Sequence, residues 1–232
     1  MTLAAVIDQV RHSIHAHPYN IDTELKITLP VSDSPMKAMD FFRMSEGRWI
    51  SQRTTHHLAM RRTELGQLEI TASVLAATAP KVLEICAMHG IDPNRAIGGA
   101  TVSWQGSMAW DEADQKQTGA TVLVLVPDAD NDAAGQLLRE KGYAETAPVV
   151  GHYAVDRQDG LLLTTDYSTM SSVERFQFLS PSTRIRTSTV IGLSNTASFC
   201  VESRVDLEPP AAAISAANIE DLPTAQYSVW GW

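Results

Sequence analysis

The feature that most constrains the fold is a series of short segments with strand-like composition between residues 48 and 205. Nine such segments can be distinguished, and most are separated by turn-forming stretches such as ELGQ, DEADQKQTG, DRQDG and SPST. Strands that follow one another through short polar turns favour antiparallel pairing over helical crossovers. The pattern therefore predicts an all-β domain, either an antiparallel barrel or a sandwich.

Three segments with helical character accompany the strands. MKAMDFFRM (36–44) has apolar residues at helical spacing and ends near Gly47. TAPKVLEICAMHGIDP has Pro80 near its start, with Gly90 and Pro93 as stop signals. The more polar DADNDAAGQLLREKGY (128–143) is also interpreted as helical.

Composition divides the chain into three parts. Residues 1–35 are expected to form a weakly structured N-terminal extension, and 36–206 the folded β domain. Residues 207–232 are rich in Ala and Pro and have no strand periodicity, so they are expected to form a tail.

The charge and the apolar pattern exclude several classes of function. A formal net charge of −9 argues against non-specific binding to nucleic acid or anionic lipid, since both require clustered positive charge. The N-terminal segment has no secretory pattern and no run is long enough to cross a bilayer, so a cytoplasmic protein is expected. Cys86 and Cys200 lie outside any CxxC pair and are expected to be buried, small apolar residues.

Common catalytic and cofactor motifs are absent from the sequence. It contains no GxSxG, GxGxxG, P-loop or HExxH pattern, so neither a nucleotide nor a metal is expected. His56 and His57 are adjacent and point to opposite faces of a strand, which makes them a poor metal pair. His12, His15 and His17 have plausible spacing but fall in the weakly structured extension.

The segment RWISQRTTHHLAM has polar residues on both faces of a predicted strand. Two interpretations fit this pattern: one row faces a wet cavity, or the strand is an exposed edge. One row consists of Trp49, Ser51, Arg53, Thr55 and His57.

Three further strands carry side chains that suit a flat, carboxylated ligand, although a plain core or a solvated face would read the same way. Aromatic rings can stack on such a ligand, and arginines can bind its carboxylates. Each of these three strands has one face formed by a set of alternate residues: Trp104, Gly106, Met108 and Trp110 on the first; Glu174, Phe176 and Phe178 on the second; and Arg184, Arg186, Ser188 and Val190 on the third.

Several motifs together resemble those of one family. FFRMSEGRWISQRTTHHLA, ICAMHGIDP, IGGATVSWQGSMAWD, LLREKGYAE, YSTMSSVERFQF and RIRTSTV, in this order, are similar to the S-type phycobiliprotein lyases of the CpcS/CpeS family. The resemblance runs from about Met36 to Val205. It implies a lipocalin-like or fatty-acid-binding-protein-like barrel of ten antiparallel strands with short capping helices.

The resemblance also implies an activity. Members of this family bind a phycobilin, an open-chain tetrapyrrole, and deliver it to a cysteine of a phycobiliprotein subunit, forming a thioether. It therefore implies a bilin lyase whose bound chromophore is phycoerythrobilin or phycocyanobilin, without metal or nucleotide. The implied acceptor is a phycobiliprotein β subunit, and the implied setting is phycobilisome assembly in the cytoplasm or a plastid.

Site residues follow from the same resemblance, position by position. It implies that a cluster of three residues holds and polarises the chromophore: Glu174, Arg184 and Ser188. It places seven others around the bilin: Arg53, Arg62, Trp104, Trp110, Arg186, Ser51 and Glu202.

Two other functions remain open from the sequence. The chain could be a tetrapyrrole carrier that does not catalyse attachment, or the partner subunit of a heterodimeric lyase. Whether it acts as a homodimer or with a related lyase subunit is likewise open.

Overall fold

Ten antiparallel strands close into a barrel in the computed structural model, which describes residues 36–112, 116–129, 131–140, 148–192 and 194–205. Consecutive strands pair with each other, and the first pairs with the last to close the ring. The strands are β1 (Gly47–His57), β2 (Arg62–Leu75), β3 (Gly98–Met108), β4 (Gln117–Asp128), β5 (Asn131–Arg139), β6 (Val149–Val155), β7 (Leu161–Asp166), β8 (Met170–Ser180), β9 (Thr183–Gly192) and β10 (Thr196–Arg204).

The predicted helix at 128–143 is wrong. Residues 131–139 form β5, which pairs with β4 on one side and β6 on the other. Leu137 and Leu138 are both fully buried, in different hydrophobic clusters on the two faces of the sheet. Burial on both faces of a central strand outweighs the helix propensity of Ala, Gln and Leu in this segment. With β5 included, the barrel has ten strands, one more than the nine that the sequence predicted.

Helix α1 (Ala38–Ser45) closes one end of the barrel, and it confirms the helix predicted at 36–44. Phe41 and Phe42 are buried, and the ring of Phe41 lies 5.0 Å from that of Phe178 on β8. The guanidinium of Arg204 donates hydrogen bonds to the carbonyls of Met44 and Glu46, which satisfies acceptors left free at the helix end. The helix is thereby attached to the strand that closes the ring.

Helix α2 (Pro80–Met88) lies outside the barrel, and it confirms the second predicted helix. Its buried residues Val82, Ile85 and Cys86 pack against the outward side chains of Val124 and Val126 on β4. The inward side chains of β4 belong to the barrel core. This two-sided burial accounts for the continuous apolar run VLVLV in that strand.

Two expectations concern residues that the structure does not describe. The N-terminal extension at 1–35, with its three histidines, and the tail at 207–232 lie outside the described residues.

Among the described helices, none is long and apolar enough to span a bilayer. Cys86 and Cys200 are buried and free, as expected.

Two short 3-10 helices complete the described elements. Leu58–Met60 connects β1 to β2, and Pro93–Arg95 precedes β3. At the first connection Arg61 adopts a left-handed conformation with a φ of 51°. This turn lies at the end of the barrel opposite α1, because β1 begins beside the helix and ends at the turn.

Candidate functional site

A cavity of about 380 Å³ lies within the barrel. Phe41 and Phe42 of α1 line the end that the helix closes. The walls combine apolar side chains with charged ones, a mixture typical of a ligand site and not of a packed core. The charged wall residues are Arg53, Glu64, Arg139, Glu174, Arg184 and Arg186.

The polar row of β1 faces this cavity. Trp49 and Ser51 are fully buried and Thr55 is 4% exposed, whereas the alternate residues Gln52 and His56 are exposed. The edge-strand interpretation is wrong, because β1 is paired with β2 and with β10. β1 is therefore polar on both faces because one face lines the cavity and the other faces solvent.

The register of the strands brings several predicted residues onto one wall. Glu174 on β8 is the cross-strand partner of Ser188 on β9. In the next row Arg186 is opposite Cys200 on β10, and Cys200 is opposite Arg53 on β1. Side chains of directly opposite residues lie on the same face of the sheet, so these residues share the inner surface.

A network of buried and half-buried charges occupies this wall. Nε and Nη2 of Arg184 lie 2.6 and 2.5 Å from Oε2 of Glu202. Nε of Arg186 lies 3.2 Å from Oε1 of Glu202, and its Nη1 donates to Oε1 of Glu174 at 3.3 Å. Ser51 also donates to Glu202, over 3.3 Å. Five of the predicted site residues are therefore connected to one another.

The network determines the charge state of Glu202. Burial by itself would raise the pKa of this carboxyl, but the guanidinium groups of Arg186 and Arg184 outweigh burial and hold its pKa below the ordinary value. Burial lowers the pKa of Arg184, and Glu202 opposes that effect. An arginine starts from so high a pKa that it keeps its proton near neutral pH. The site thus carries ionised groups of both signs away from solvent.

Arg184 connects the wall of the cavity to α1. Its Nη1 donates to Oγ of Ser45 over 2.9 Å, and its guanidinium lies 4.6 Å from the centroid of the Trp49 ring. Nε1 of Trp49 in turn donates to the carbonyl of Ser45 over 2.9 Å. Because its donors are directed at protein groups, Arg184 is suited to holding the site together.

Arg53 is differently placed. Its Nε donates to Oγ1 of Thr55 over 2.9 Å and its Nη2 donates to Oγ of Ser198 over 3.0 Å. Both partners are neutral hydroxyls, and no carboxylate of the described residues forms an ion pair with Arg53. The hydroxyls orient the guanidinium without neutralising it. It can therefore bind an anionic group in the cavity.

The two predicted tryptophans lie at different heights along the barrel. Trp104 lies on β3 and lines the cavity, while Trp110 follows the end of that strand and is 41% exposed. The ring of Trp110 stacks on His57 at a centroid distance of 4.7 Å, and the guanidinium of Arg62 lies 4.8 Å from its centroid. Trp110 and Arg62 are thus placed at the open end of the barrel, above the cavity.

Sequence reasoning set His57 aside, but the structure places it in the cavity wall. Its Nε2 lies 3.1 Å from Oε2 of Glu64, whose Oε1 accepts a hydrogen bond from the backbone N of Trp110 over 3.1 Å. The sequence did contain a signal for this position. His57 belongs to the same strand row as Arg53, so an inward Arg53 requires an inward His57.

Arg139 was also missed. It is 4% exposed and lines the cavity from β5, the strand that was interpreted as a helix. If this segment is taken as a helix, the direction of the Arg139 side chain relative to the barrel interior cannot be inferred from the sequence. Once residues 131–139 are a strand, alternation from the inward Leu137 places Arg139 on the same inner face.

The fold and cavity together define a class of protein: a closed antiparallel barrel with an internal cavity lined by paired and unpaired charges. Comparison with known proteins identifies the family. The model of the CpeS-like protein family matches residues 37–205. This chain therefore belongs to the CpeS-like family.

Individual relatives agree with this assignment. The chain is 50% identical over 199 residues to "Chromophore lyase CpcS/CpeS 2" of Trichodesmium erythraeum, covering 85% of this chain and 100% of the relative. It is 47% identical to "Phycocyanobilin lyase subunit CpcS" of a Picosynechococcus strain, covering 84% and 97%. The solved structure of the S-type phycobiliprotein lyase CPES from Guillardia theta is 31% identical, with a TM-score of 0.66 over 75% of this chain and 95% of that one.

Proposed function

We propose that this chain is a chromophore lyase that binds a phycobilin inside its barrel and promotes thioether attachment to a cysteine of a phycobiliprotein subunit. Its membership of a family whose relatives are named chromophore lyases supports the activity. The observation that carries the binding site is the cavity, where Arg53 has hydroxyl partners only and faces the same space as Glu174. A bilin has propionates for the arginine and pyrrole nitrogens for the carboxylate.

Individual residues would have distinct tasks in this reaction. Arg53 binds a propionate, and Trp104 offers a ring against the conjugated system. Glu174, held 3.3 Å from Arg186, faces the cavity and hydrogen-bonds or protonates the pyrrole nitrogens. The Glu202–Arg184 pair and Ser51 position this wall, with Ser188 beside Glu174 in the register.

The chemistry is an addition of the acceptor's thiol across the ethylidene double bond of the bilin A ring. The acceptor cysteine supplies the sulfur as a thiolate, and a proton is delivered to the neighbouring carbon. No cysteine of this chain takes part. Acceleration then comes from holding the bilin in one orientation and from charge stabilisation by Glu174. Trp110 and Arg62 stand at the open end, where the acceptor would approach.

Phycocyanobilin is the bilin to test first, with phycoerythrobilin second, because one relative is named a phycocyanobilin lyase subunit. We propose a β subunit as the acceptor. We also propose that the reaction takes place in the cytoplasm, or the plastid equivalent, during phycobilisome assembly.

A second candidate function is that of one subunit in a heterodimeric lyase, which the word "subunit" in that relative's name favours. The barrel would then bind bilin but require a related lyase chain for transfer. A carrier that never catalyses attachment would bind bilin but would not accelerate adduct formation, whether or not a related lyase chain is added.

The test is a reconstituted reaction of the purified chain with phycocyanobilin and an apo-phycobiliprotein β subunit. A single modified cysteine, mapped by mass spectrometry and formed faster than without the chain, is expected. Adduct formation only when a related lyase chain is added would support the heterodimer. A coloured complex with no accelerated adduct under either condition would leave a carrier and contradict lyase activity.

A further inference from the structure

The unexplained group in the cavity is the guanidinium of Arg139. The side chain is 4% exposed and lines the cavity. Its buried Nε has no hydrogen-bond partner, and the guanidinium forms no ion pair with any described residue. A buried cation without a partner is costly, so such a group is expected to have a partner in the functional state.

The backbone holds Arg139 firmly in place. Residue 139 pairs with Leu123 on β4 and with Val149 on β6, so it lies within the sheet and not in a loop. Its carbonyl also accepts a hydrogen bond from Nε2 of His89, over 2.9 Å. The contact comes from the connection that follows α2 outside the barrel. The direction of the side chain into the cavity is therefore set by tertiary contacts on both sides of the strand.

The position of Arg139 relative to the other charges is informative. Every residue of the charged network described above lies on β1, β8, β9 or β10. Five strand-to-strand steps separate β5 from β10 in the ten-strand ring, so Arg139 lies on the wall opposite Glu202. No carboxylate of that network pairs with it. A ligand that fills the cavity therefore meets an uncompensated cation on the far wall.

We propose that Arg139 is a second carboxylate-binding site of the cavity and takes one carboxylate of the ligand while Arg53 takes the other. This inference rests on the proposed binding of a bilin, whose two propionates supply the two carboxylates. A contact between a buried arginine and a carboxylate is short, directional and stronger than a neutral hydrogen bond. The two arginines on different walls then fix how the ligand lies across the barrel.

The experiment measures dissociation constants for biliverdin and for biliverdin dimethyl ester, by bilin absorbance and by tryptophan quenching. Wild type, Arg139→Met and Arg139→Lys are compared, with Arg48→Met as the matched control on the outer face of β1. Removing Arg139 is expected to weaken binding of the diacid about tenfold or more and to leave binding of the diester unchanged. Lys is expected to restore part of the loss, since it keeps the charge without the planar fork.

The outcomes separate this inference from the proposed function. Equal weakening of acid and ester by Arg139→Met, or no weakening of either, would overturn the carboxylate site while leaving bilin binding intact. Failure of the wild-type chain to bind either form would overturn the carboxylate site, while the reconstituted reaction with phycocyanobilin tests the proposed function separately. Thermal unfolding of the ligand-free proteins is a second test. Arg139→Met is expected to melt no lower than wild type, and a large decrease would show that the guanidinium has a structural partner within the chain.

Discussion

The guanidinium of Arg184 and the carboxylate of Glu202 form an ion pair inside the barrel, with both side chains almost fully withdrawn from solvent. The two residues are direct cross-strand partners on β9 and β10. The pair lies next to the strand contact that closes the ring and, through Ser45, next to the helix that closes the end. It therefore connects the integrity of the fold to the shape of the cavity.

Glu202→Gln should strongly destabilise the protein. The substitution leaves Arg184 and Arg186 buried without their shared carboxylate, and breaking such a pair costs about 3–5 kcal/mol. The loss is measured as the decrease in the free energy of unfolding in denaturant, relative to wild type. Glu69→Gln, which breaks the exposed contact with Arg48, is the control and should change the free energy of unfolding little. A Glu202→Gln protein as stable as the control variant would contradict the assignment.

Acid should weaken the fold partly through the same residue. The pKa of Glu202 is lower in the folded protein than its ordinary value of 4.5, so the unfolded chain binds a proton first as pH falls. The stabilisation that ionised Glu202 contributes is complete above the ordinary pKa of 4.5, and it is lost as pH falls through the lower pKa of the folded protein. Unfolding curves between about pH 7 and pH 3 should show the wild type losing stability more steeply than Glu202→Gln. Parallel losses would assign acid sensitivity to other groups.

Glu174→Gln should leave the fold intact and slow chromophore transfer. Arg186 keeps its contact with Glu202 in this variant, so no buried charge is left alone. Loss of a proton donor or hydrogen-bond acceptor at the pyrrole nitrogens should slow transfer on the order of a hundredfold and weaken the red-shifted absorbance of the bound bilin. Glu84→Gln, on α2 outside the barrel, is the control. Unchanged transfer would remove Glu174 from the mechanism.

Gly119→Ala should disturb Trp104. A Cβ at residue 119 would lie 2.2 Å from Cζ2 of the indole, so the ring has to move. The cost should be about 1–3 kcal/mol, with weaker bilin binding because the ring lines the cavity. In Gly66→Ala the nearest atom is Sδ of Met108, at 2.1 Å, and this flexible side chain can yield. Unchanged bilin affinity in Gly119→Ala would exclude Trp104 from the binding surface.

Much of the fold could be predicted from local patterns. The helices at Ala38–Ser45 and Pro80–Met88 have helical spacing and stop signals, and the turns between strands are marked by Gly, Pro, Asn and Asp. The strand Asn131–Arg139 could not be identified in this way. Its Ala, Gln and Leu residues favour a helix, and only pairing with β4 and β6 makes a strand the better solution.

The candidate site was predictable only where its residues share a strand with a recognisable motif. Arg53 and Glu174 fall in such segments, and alternation places them on defined faces. Arg139 lies in the misassigned strand, and Trp110 lies beyond the end of β3, where alternation no longer applies. The contact between His57 and Glu64 joins two strands across a turn and has no local signature.

The sequence by itself determined that the chain forms an antiparallel β domain with a short helix before its first strand, and its motifs indicated the family. These properties depend on periodicity and turn residues, which act over a few positions. Only the tertiary structure decided which face of each strand points inward and which charges meet. Ring closure between β1 and β10 brings Ser51 to Glu202 across 151 positions of sequence, and such a contact depends on register that no local pattern encodes.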